Sequence, residues 1–352
     1  MTKFFSTISI ICLFISVLLF YSCKKKTDEP EGKPYMTGPL SHNIPPYVYK
    51  SRDYTFIASD ITSPQGVSYK WGATGFTPDS CFVQTYTSTT PDKTGPFSIS
   101  LSAMYEGYTN LSITQVVVVI DSLFWDCVTE VVEGSGFIQD PRDGAIYHTR
   151  VYGDLEWFVQ NLNWEEAGNS YNKIEALGTP FGRIYSWNEA VTGISGGETA
   201  GVGATGLGGG PQGVCPPEWS VPTNEDWAHL ATVVNGGESL SFFDNWNGIA
   251  DPLCTYAKMN GVLLWPYSPH NLKSNTALWN GLPAGNSSNY GKRFENMDRY
   301  GFWLSSSESD SNNGYYRYIN YNSNQFPYHF TDKHSFGASV RCVRLIVTAP
   351  DS

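Results

Sequence analysis

Charge is scarce in this 352-residue sequence: only 16% of its residues are Asp, Glu, Lys or Arg. Cations are scarcer than anions, 22 Lys and Arg against 33 Asp and Glu, so the net charge is -11. An acidic surface argues against nucleic acid and anionic membrane as partners, because binding phosphate requires the opposite sign. Long amphipathic helical patterns are almost absent. Histidine is rare, six in all, and His329 and His334 have no second pair at metal-ligand spacing, so they read as surface residues. No serine sits in a nucleophile-elbow context and no triad can be ordered. The expectation is a protein without catalysis, metal or cofactor. What is plentiful points elsewhere. Aromatic residues reach 15%, with 22 Tyr and 11 Trp, and 34 Gly punctuate the chain, a composition that suits a strand-rich, loop-rich extracellular protein.

The start of the chain sets the compartment. Lys3 is followed by the apolar run Phe4 to Phe20, then Tyr21-Ser22-Cys23 and the abruptly polar Lys24-Lys25-Lys26. A charged start, an apolar stretch and a small residue before the cut describe a secretory signal over residues 1–22. The run is also long enough to span a bilayer, which would make it an uncleaved anchor. A cysteine placed where the apolar run stops resembles the lipobox of bacterial lipoproteins, with Phe20 where leucine is usual. That resemblance implies acylation of Cys23 and a membrane partner reached through the lipid. Removing Lys3 with the signal takes the net charge to -12. Residues 23–40 read as acylated cysteine plus flexible linker, since Pro30, Gly32 and Pro34 interrupt Thr27 to Met36. Asp28-Glu29-Pro30-Glu31 resembles the acidic export tags of Bacteroidetes-type surface lipoproteins. The expected location is the outer membrane, lipid-anchored and facing outward.

The rest of the chain is too long for one small core and comfortable for two domains. Over residues 41–121, short runs with strand chemistry recur: Tyr54 to Ala58, Val67 to Trp71, Phe97 to Met104 and Leu111 to Ile120. Ser98, Ser100 and Ser102 alternate with Phe97, Ile99, Leu101 and Ala103, as in a half-buried antiparallel strand. The spacing predicts a small β-sandwich similar to the PKD-like and immunoglobulin-like spacer modules of bacterial surface proteins. Residues 122–346 form the second unit, ahead of a short tail at 347–352. One helix is clear there: Thr223 caps it with Asp226 three residues on, Trp227, Leu230, Ala231 and Val234 share a face, and Gly236-Gly237 stops it.

Six blocks in this second unit resemble the Fibrobacter succinogenes major paralogous domain. Asp140 to Tyr147, Val151 to Trp157 and Gln160-Asn161-Leu162 look like its opening. Gly182-Arg183-Ile184-Tyr185-Ser186-Trp187 with Ala190 comes after it. Cys215-Pro216-Pro217-Glu218-Trp219-Ser220-Val221-Pro222-Thr223 with Trp227 is the most distinctive block. Leu282-Pro283-Ala284-Gly285, Phe302-Trp303-Leu304-Ser305-Ser306 and Ser339-Val340-Arg341-Cys342-Val343-Arg344 complete the order. Glu218 stands where the family usually has Gly, and Ser220 where it usually has His, which removes one polar contact. The resemblance implies an α+β fold class: a β-sandwich followed by a loop-rich, C-type-lectin-like mixed α/β domain, used for recognition. Bottom-up, Trp157, Trp187, Trp219, Trp227 and Trp303 supply the apolar area that such a fold needs in place of long elements.

With Cys12 in the signal and Cys23 at the anchor, five cysteines remain: Cys81, Cys127, Cys215, Cys254 and Cys342. An oxidising compartment favours disulfides, and the resemblance implies Cys215 with Cys342. Five is odd, so at least one thiol stays free or pairs outside the chain. Cys127 with Cys254, leaving Cys81 a buried thiol, is one arrangement among those left open.

Three motifs lose their chemical reading in context. Gly201-Val202-Gly203-Ala204-Thr205-Gly206 satisfies the dinucleotide pattern, but no strand feeds it and no helix succeeds it before Cys215. Asp140 and Asp143 lack the other oxygen ligands of a calcium loop and read as a turn. Lectin-type calcium signatures are missing, with Trp246-Asn247 and Trp279-Asn280 nearest in character.

The strongest binding signal is compositional. Between Asp310 and Phe330 aromatic and amide residues alternate, and Tyr with Asn suits recognition, because Tyr supplies rigid area and Asn adaptable hydrogen bonds. Tyr315, Tyr316, Tyr318, Tyr321, Asn322 and Tyr328 are the candidate ligand-binding residues, with a glycan or a surface protein as partner. Two other readings compete: a structural or adhesin-assembly component with no small ligand, and an oxidase like the formylglycine-generating relatives, which depends on a reactive cysteine pair.

Overall fold

The computed structural model describes residues 32–59, 61–121, 135–193 and 206–346. The signal 1–22, the acylation site Cys23, Cys127, the glycine-loop residues Gly201 to Thr205 and the tail 347–352 lie outside the described residues.

Alternating apolar and polar residues make seven strands in the N-terminal unit. They are β1 (Tyr47–Tyr49), β2 (Asp53–Ile57), β3 (Ser68–Gly72), β4 (Ser80–Cys81), β5 (Thr85–Thr89), β6 (Gly95–Met104) and β7 (Leu111–Ile120). One sheet runs β1-β7-β6-β3-β4, with β1 parallel to β7 and its other pairings antiparallel, while β2 pairs β5 in a second sheet. In β6 the period of two is plain: Ile99, Leu101 and Ala103 are fully buried while Ser98 and Ser100 are exposed. The sheets meet through rings. Phe56 of β2 lies 6.4 Å from Trp71 of β3, which stacks on Tyr86 of β5 at 5.8 Å. The end of the expected linker belongs to this unit. Met36 is buried in the same core, and Tyr35 and Thr37 bridge to Thr109 and Ser63, because burying Met36 removes apolar surface from water.

In the C-terminal unit, β8 (Ser135–Gln139), β9 (Ile146–Tyr152) and β10 (Leu155–Phe158) form a meander. Strand β11 (Tyr185–Ser186) enters helix α1 (Trp187–Thr192), and the longer helix α2 spans Asn224–Val234. A small hairpin comes next, β12 (Lys258–Met259) with β13 (Val262–Leu263). The remaining strands are β14 (Asn286–Ser288), β15 (Arg293–Glu295), β16 (Tyr300–Glu308), β17 (Asn313–Asn320), β18 (Tyr328–Asp332), β19 (Gly337–Ala338) and β20 (Val343–Leu345). They assemble as β20-β10-β9-β8, β11-β19-β14-β15 and β16-β17-β18.

Among the described residues strands account for 38% and helices for 11%, so the fold is β-rich. The expected α+β class with a lectin-like mixed α/β domain is corrected on this point. The physical reason is local. Capping boxes start two helices, Ser186 with Glu189 at α1 and Thr223 with Asp226 at α2, but α1 stops after six residues at Gly193 (φ 71), whereas α2 runs eleven and buries Trp227, Leu230 and Ala231. Elsewhere short apolar runs end at left-handed residues such as Gly213 (φ 51), Asn280 (φ 57) and Asn289 (φ 50), which stop a helix within a turn.

Two cores fill the C-terminal unit. One gathers Trp157, Trp227, Trp279 and Trp303; the other gathers Phe158, Trp187, Trp219 and both halves of the Cys215–Cys342 disulfide. Between them, Asn161 Oδ1 accepts hydrogen bonds from Trp303 Nε1 and Arg341 Nε, both at 3.0 Å. Three of the family blocks thus meet at one amide. A further cluster joins the two units: Tyr49 and Ile120 pack with Leu177, Phe181, Leu264 and Leu282. Tyr49 Oη donates to the Ala176 carbonyl at 2.6 Å, and Asn260 Nδ2 to the Val119 carbonyl at 2.9 Å.

Burial raises the phenol ionisation of Tyr147, Tyr152 and Tyr185 above its ordinary value, desolvation being the main cause in each. With the folded value raised, the stabilising contribution is complete below about pH 10, where the unfolded phenol begins to ionise, and is lost as pH rises further. Urea unfolding is therefore expected to show lower stability at pH 11 than at pH 8. Equal midpoints at the two pH values would refute this coupling.

Candidate functional site

The six residues singled out for binding do not share a surface. In β17 the period of two sends odd and even positions to opposite faces. Tyr315 and Tyr328 pack toward the Trp157–Trp303 core, where their rings lie 6.2 Å apart. Tyr316 and Tyr318 turn to the other face, against Phe302 at 5.9 and 5.8 Å. Tyr321 is half-buried against the first core, and exposed Asn322 accepts from Ser268 Oγ at 2.6 Å. The strand thus sorts them into two pairs, Tyr315 with Tyr328 on one face and Tyr316 with Tyr318, 6.1 Å apart, on the other.

A loop supplies the rings that join them. Phe242 and Phe243 lie just beyond the glycine pair that ends α2. Phe242 lies 5.5 Å from both Tyr315 and Tyr328, and Phe243 lies 5.8 and 5.4 Å from them. Phe330 adds an outer ring 6.3 Å from Tyr315. Phe243 is 56% and Phe330 46% exposed, so this corner presents aromatic faces to solvent. The adjacent pair of Phe in a polar loop was the signal that could have revealed it.

Arg317 fixes that loop to the sheet. Its buried guanidinium donates to the carbonyls of Phe242, Asp244 and Phe326, and it lies 4.5 Å from the centre of the Phe242 ring. Burial pushes its ionisation below the ordinary arginine value. Arg317 is thus a positioning residue for Phe242 and its neighbour.

Beside the aromatic corner opens a cleft of about 380 Å³ whose lining includes Asn224, Glu225, Ser241, Phe242, Phe243 and Ser307. The capped start of α2 forms one wall. Ser307 Oγ accepts from the Asn224 amide at 3.0 Å, and Asn224 Oδ1 accepts from Ser305 Oγ at 2.7 Å. Hydroxyl, amide and carboxylate groups thus stand next to rings, a combination that satisfies a polyhydroxylated ligand with one apolar face.

The other candidates have structural roles. Asp140 is buried and accepts from the amide, Nε and Nη2 of Arg142, while Asp143 Oδ1 accepts from the Ala145 amide; both shape the turn. His329 is exposed, and His334 hydrogen-bonds Asn188. Among the described residues no group of three or more His, Cys, Asp or Glu could hold a metal ion. Cys215 and Cys342 are bonded to each other. Cys254 is a buried free thiol rather than a disulfide partner, pushed up to about 12 by burial, and Cys81 is free and half-buried rather than buried. A thiol raised this far is a poor nucleophile. Glu218 adopts φ 71, the left-handed conformation that explains a glycine at this position in the family. Ser220 pairs through its backbone with Val343.

The sequence model of the Fibrobacter succinogenes major domain matches residues 146–344. No curated protein matches the chain.

Proposed function

The chain belongs to the Fibrobacter succinogenes major domain family, and from that premise we propose a non-catalytic surface lipoprotein, acylated at Cys23, that recognises glycan through its C-terminal unit. The observation that carries this reading is the juxtaposition of exposed Phe243 and Phe330, half-buried Tyr315 and Tyr328, and a cleft lined by Asn224, Glu225, Ser241 and Ser307. A pyranose offers an apolar face to stack on a ring and hydroxyls for the amide and carboxylate. The β-sandwich between the anchor and this unit serves as a spacer.

A glycan array probed with both units together tests the proposal, since the Tyr49–Leu282 cluster couples them. Binding is expected to at least one polysaccharide class. Phe243→Ala is expected to weaken it tenfold or more, about 1.4 kcal/mol, while leaving the unfolding midpoint nearly unchanged because the ring is exposed. If no polysaccharide class binds, or if Phe243→Ala binds like the parent, the glycan reading fails. The exposed rings would then favour assembly against another protein.

A further inference from the structure

A second cavity lies away from this cleft, between the β12–β13 hairpin and the loop beyond it. It measures about 160 Å³, and its lining includes Tyr256, Trp265, Tyr267, Asn271, Leu272 and Lys273. That is below the roughly 300–1,000 Å³ of ordinary small-molecule pockets and suits a single side chain or a small acid. Its floor is the buried ring of Trp265, whose indole N–H is already donated to the Gly281 carbonyl at 2.9 Å. Its rim is unusual for a soluble surface: Tyr256, Tyr267 and Leu272 are 59%, 78% and 66% exposed. A rim of exposed apolar groups around one enclosed hole marks a place where an apolar body is received.

A lysine is among the lining residues. Lys273 is only 5% exposed, yet among the described residues no carboxylate stands within ion-pair distance of it. Its ammonium donates to the carbonyls of Pro266 and Tyr321, each at 3.0 Å, leaving one of its three N–H groups over. Burial lowers its ionisation from the ordinary lysine value, against the pull of Cys254 and Asp251. The Asp251 carboxylate is itself occupied with the Ser274 amide. Lys273 also holds a left-handed backbone, φ 56, a conformation that costs a non-glycine residue free energy and gathers at functional positions. Lys258, whose ammonium lies 5.8 Å from the Tyr256 ring, places a second cation next to that rim residue in an otherwise acidic protein. Asn271 stiffens the wall: it accepts from the Lys273 amide and donates to the Ser323 carbonyl.

We propose that this cavity binds an apolar group bearing a carboxylate, with the body seated on Trp265 between Tyr256, Tyr267 and Leu272 and the carboxylate directed to Lys273. A small free acid and the C-terminal residue of a peptide share that chemistry. The site is independent of the glycan cleft, so either can fail alone.

The test compares N-acetyl-leucine with N-acetyl-leucinamide, and a Gly-Gly-Gly-Leu peptide with its C-terminal amide, by ligand-observed NMR titration of the intact chain. Both free carboxylates are expected to bind, and each amide at least tenfold more weakly. Tighter binding of the peptide would identify a chain terminus as the source; tighter binding of the small acid would identify a free metabolite. Tyr267→Ala, at an exposed position, is expected to weaken every ligand without shifting the unfolding midpoint. Lys273→Met is expected to erase the preference for acid over amide. Equal binding of acids and amides to the parent chain, no binding of either acid, or an unaffected Tyr267→Ala variant overturns the proposal, whether or not Lys273→Met folds.

Discussion

Arg341→Ala is expected to lower the unfolding free energy by about 4 kcal/mol or more, a large share of the roughly 5–15 kcal/mol available to a domain. Arg341 has no exposed surface. Its Nε donates to Asn161 Oδ1 at 3.0 Å, Nη2 to the Asn280 carbonyl at 2.7 Å, and Nη1 to the Trp279 carbonyl. The guanidinium lies 3.8 Å from the centre of the Trp279 ring. Truncation leaves the Trp279 and Asn280 carbonyls without the arginine's donors, at about 1–3 kcal/mol each, takes one of two donors from Asn161 Oδ1, which keeps Trp303 Nε1, and opens a void between two tryptophans. Against this stands the relief of returning a buried cation to water, several kcal/mol per ion. Burial lowers the arginine's ionisation from its ordinary value, which makes that opposing effect real. The orphaned carbonyls and the void win because backbone groups in a packed core cannot turn to solvent. Arg341→Met isolates the void, since it fills much of the space while removing donors and charge alike, as Arg341→Ala does. Urea unfolding followed by tryptophan fluorescence measures all three proteins. A loss below 1 kcal/mol for Arg341→Ala would mean that the core relaxes enough to satisfy itself.

The second large effect belongs to the crosslink. Cys215 and Cys342 are separated by 127 residues, and closing a loop of that length is worth about 5 kcal/mol on the loop-closure argument. Both cysteines are fully buried in the core of Trp187 and Trp219, so Cys215→Ala with Cys342→Ala also leaves unfilled volume. The bond ties the proline-rich approach to α2 to the segment leading into β20, where Ser220 and Val343 exchange backbone hydrogen bonds. The double variant is expected to unfold at a markedly lower denaturant midpoint than the parent, and reductant is expected to shift the parent alone. Should reductant leave the parent's midpoint in place, the bridge contributes no stability and the aromatic core alone holds this half together.

Much of the local structure was legible. Alternation in Phe97 to Met104 and the β-branched run ending at Ile120 announced β6 and β7, and Thr223 with Asp226 announced α2. These signals act over a few residues, where side-chain period and capping leave little choice. The α+β expectation fails because the unit holds one helix of eleven residues, while left-handed residues at Gly213, Asn280 and Asn289 keep other segments from continuing as helix. The binding residues were read as one strip for a related reason. Composition locates aromatic residues along β17, but the faces they occupy depend on register, and register divided Tyr315 from Tyr316.

By itself, then, the sequence determined β2, β3, β6 and β7, the capped helix and the ordered blocks that make the chain a member of its family, since each depends on residues near one another or on their order. Only the tertiary structure decided that Arg341 meets Asn161 across 180 residues, that Phe243 joins Tyr315 at one corner, and that Lys273 is walled into a cavity without a carboxylate. Those outcomes turn on burial and on which distant groups share a small volume, quantities that no local pattern carries.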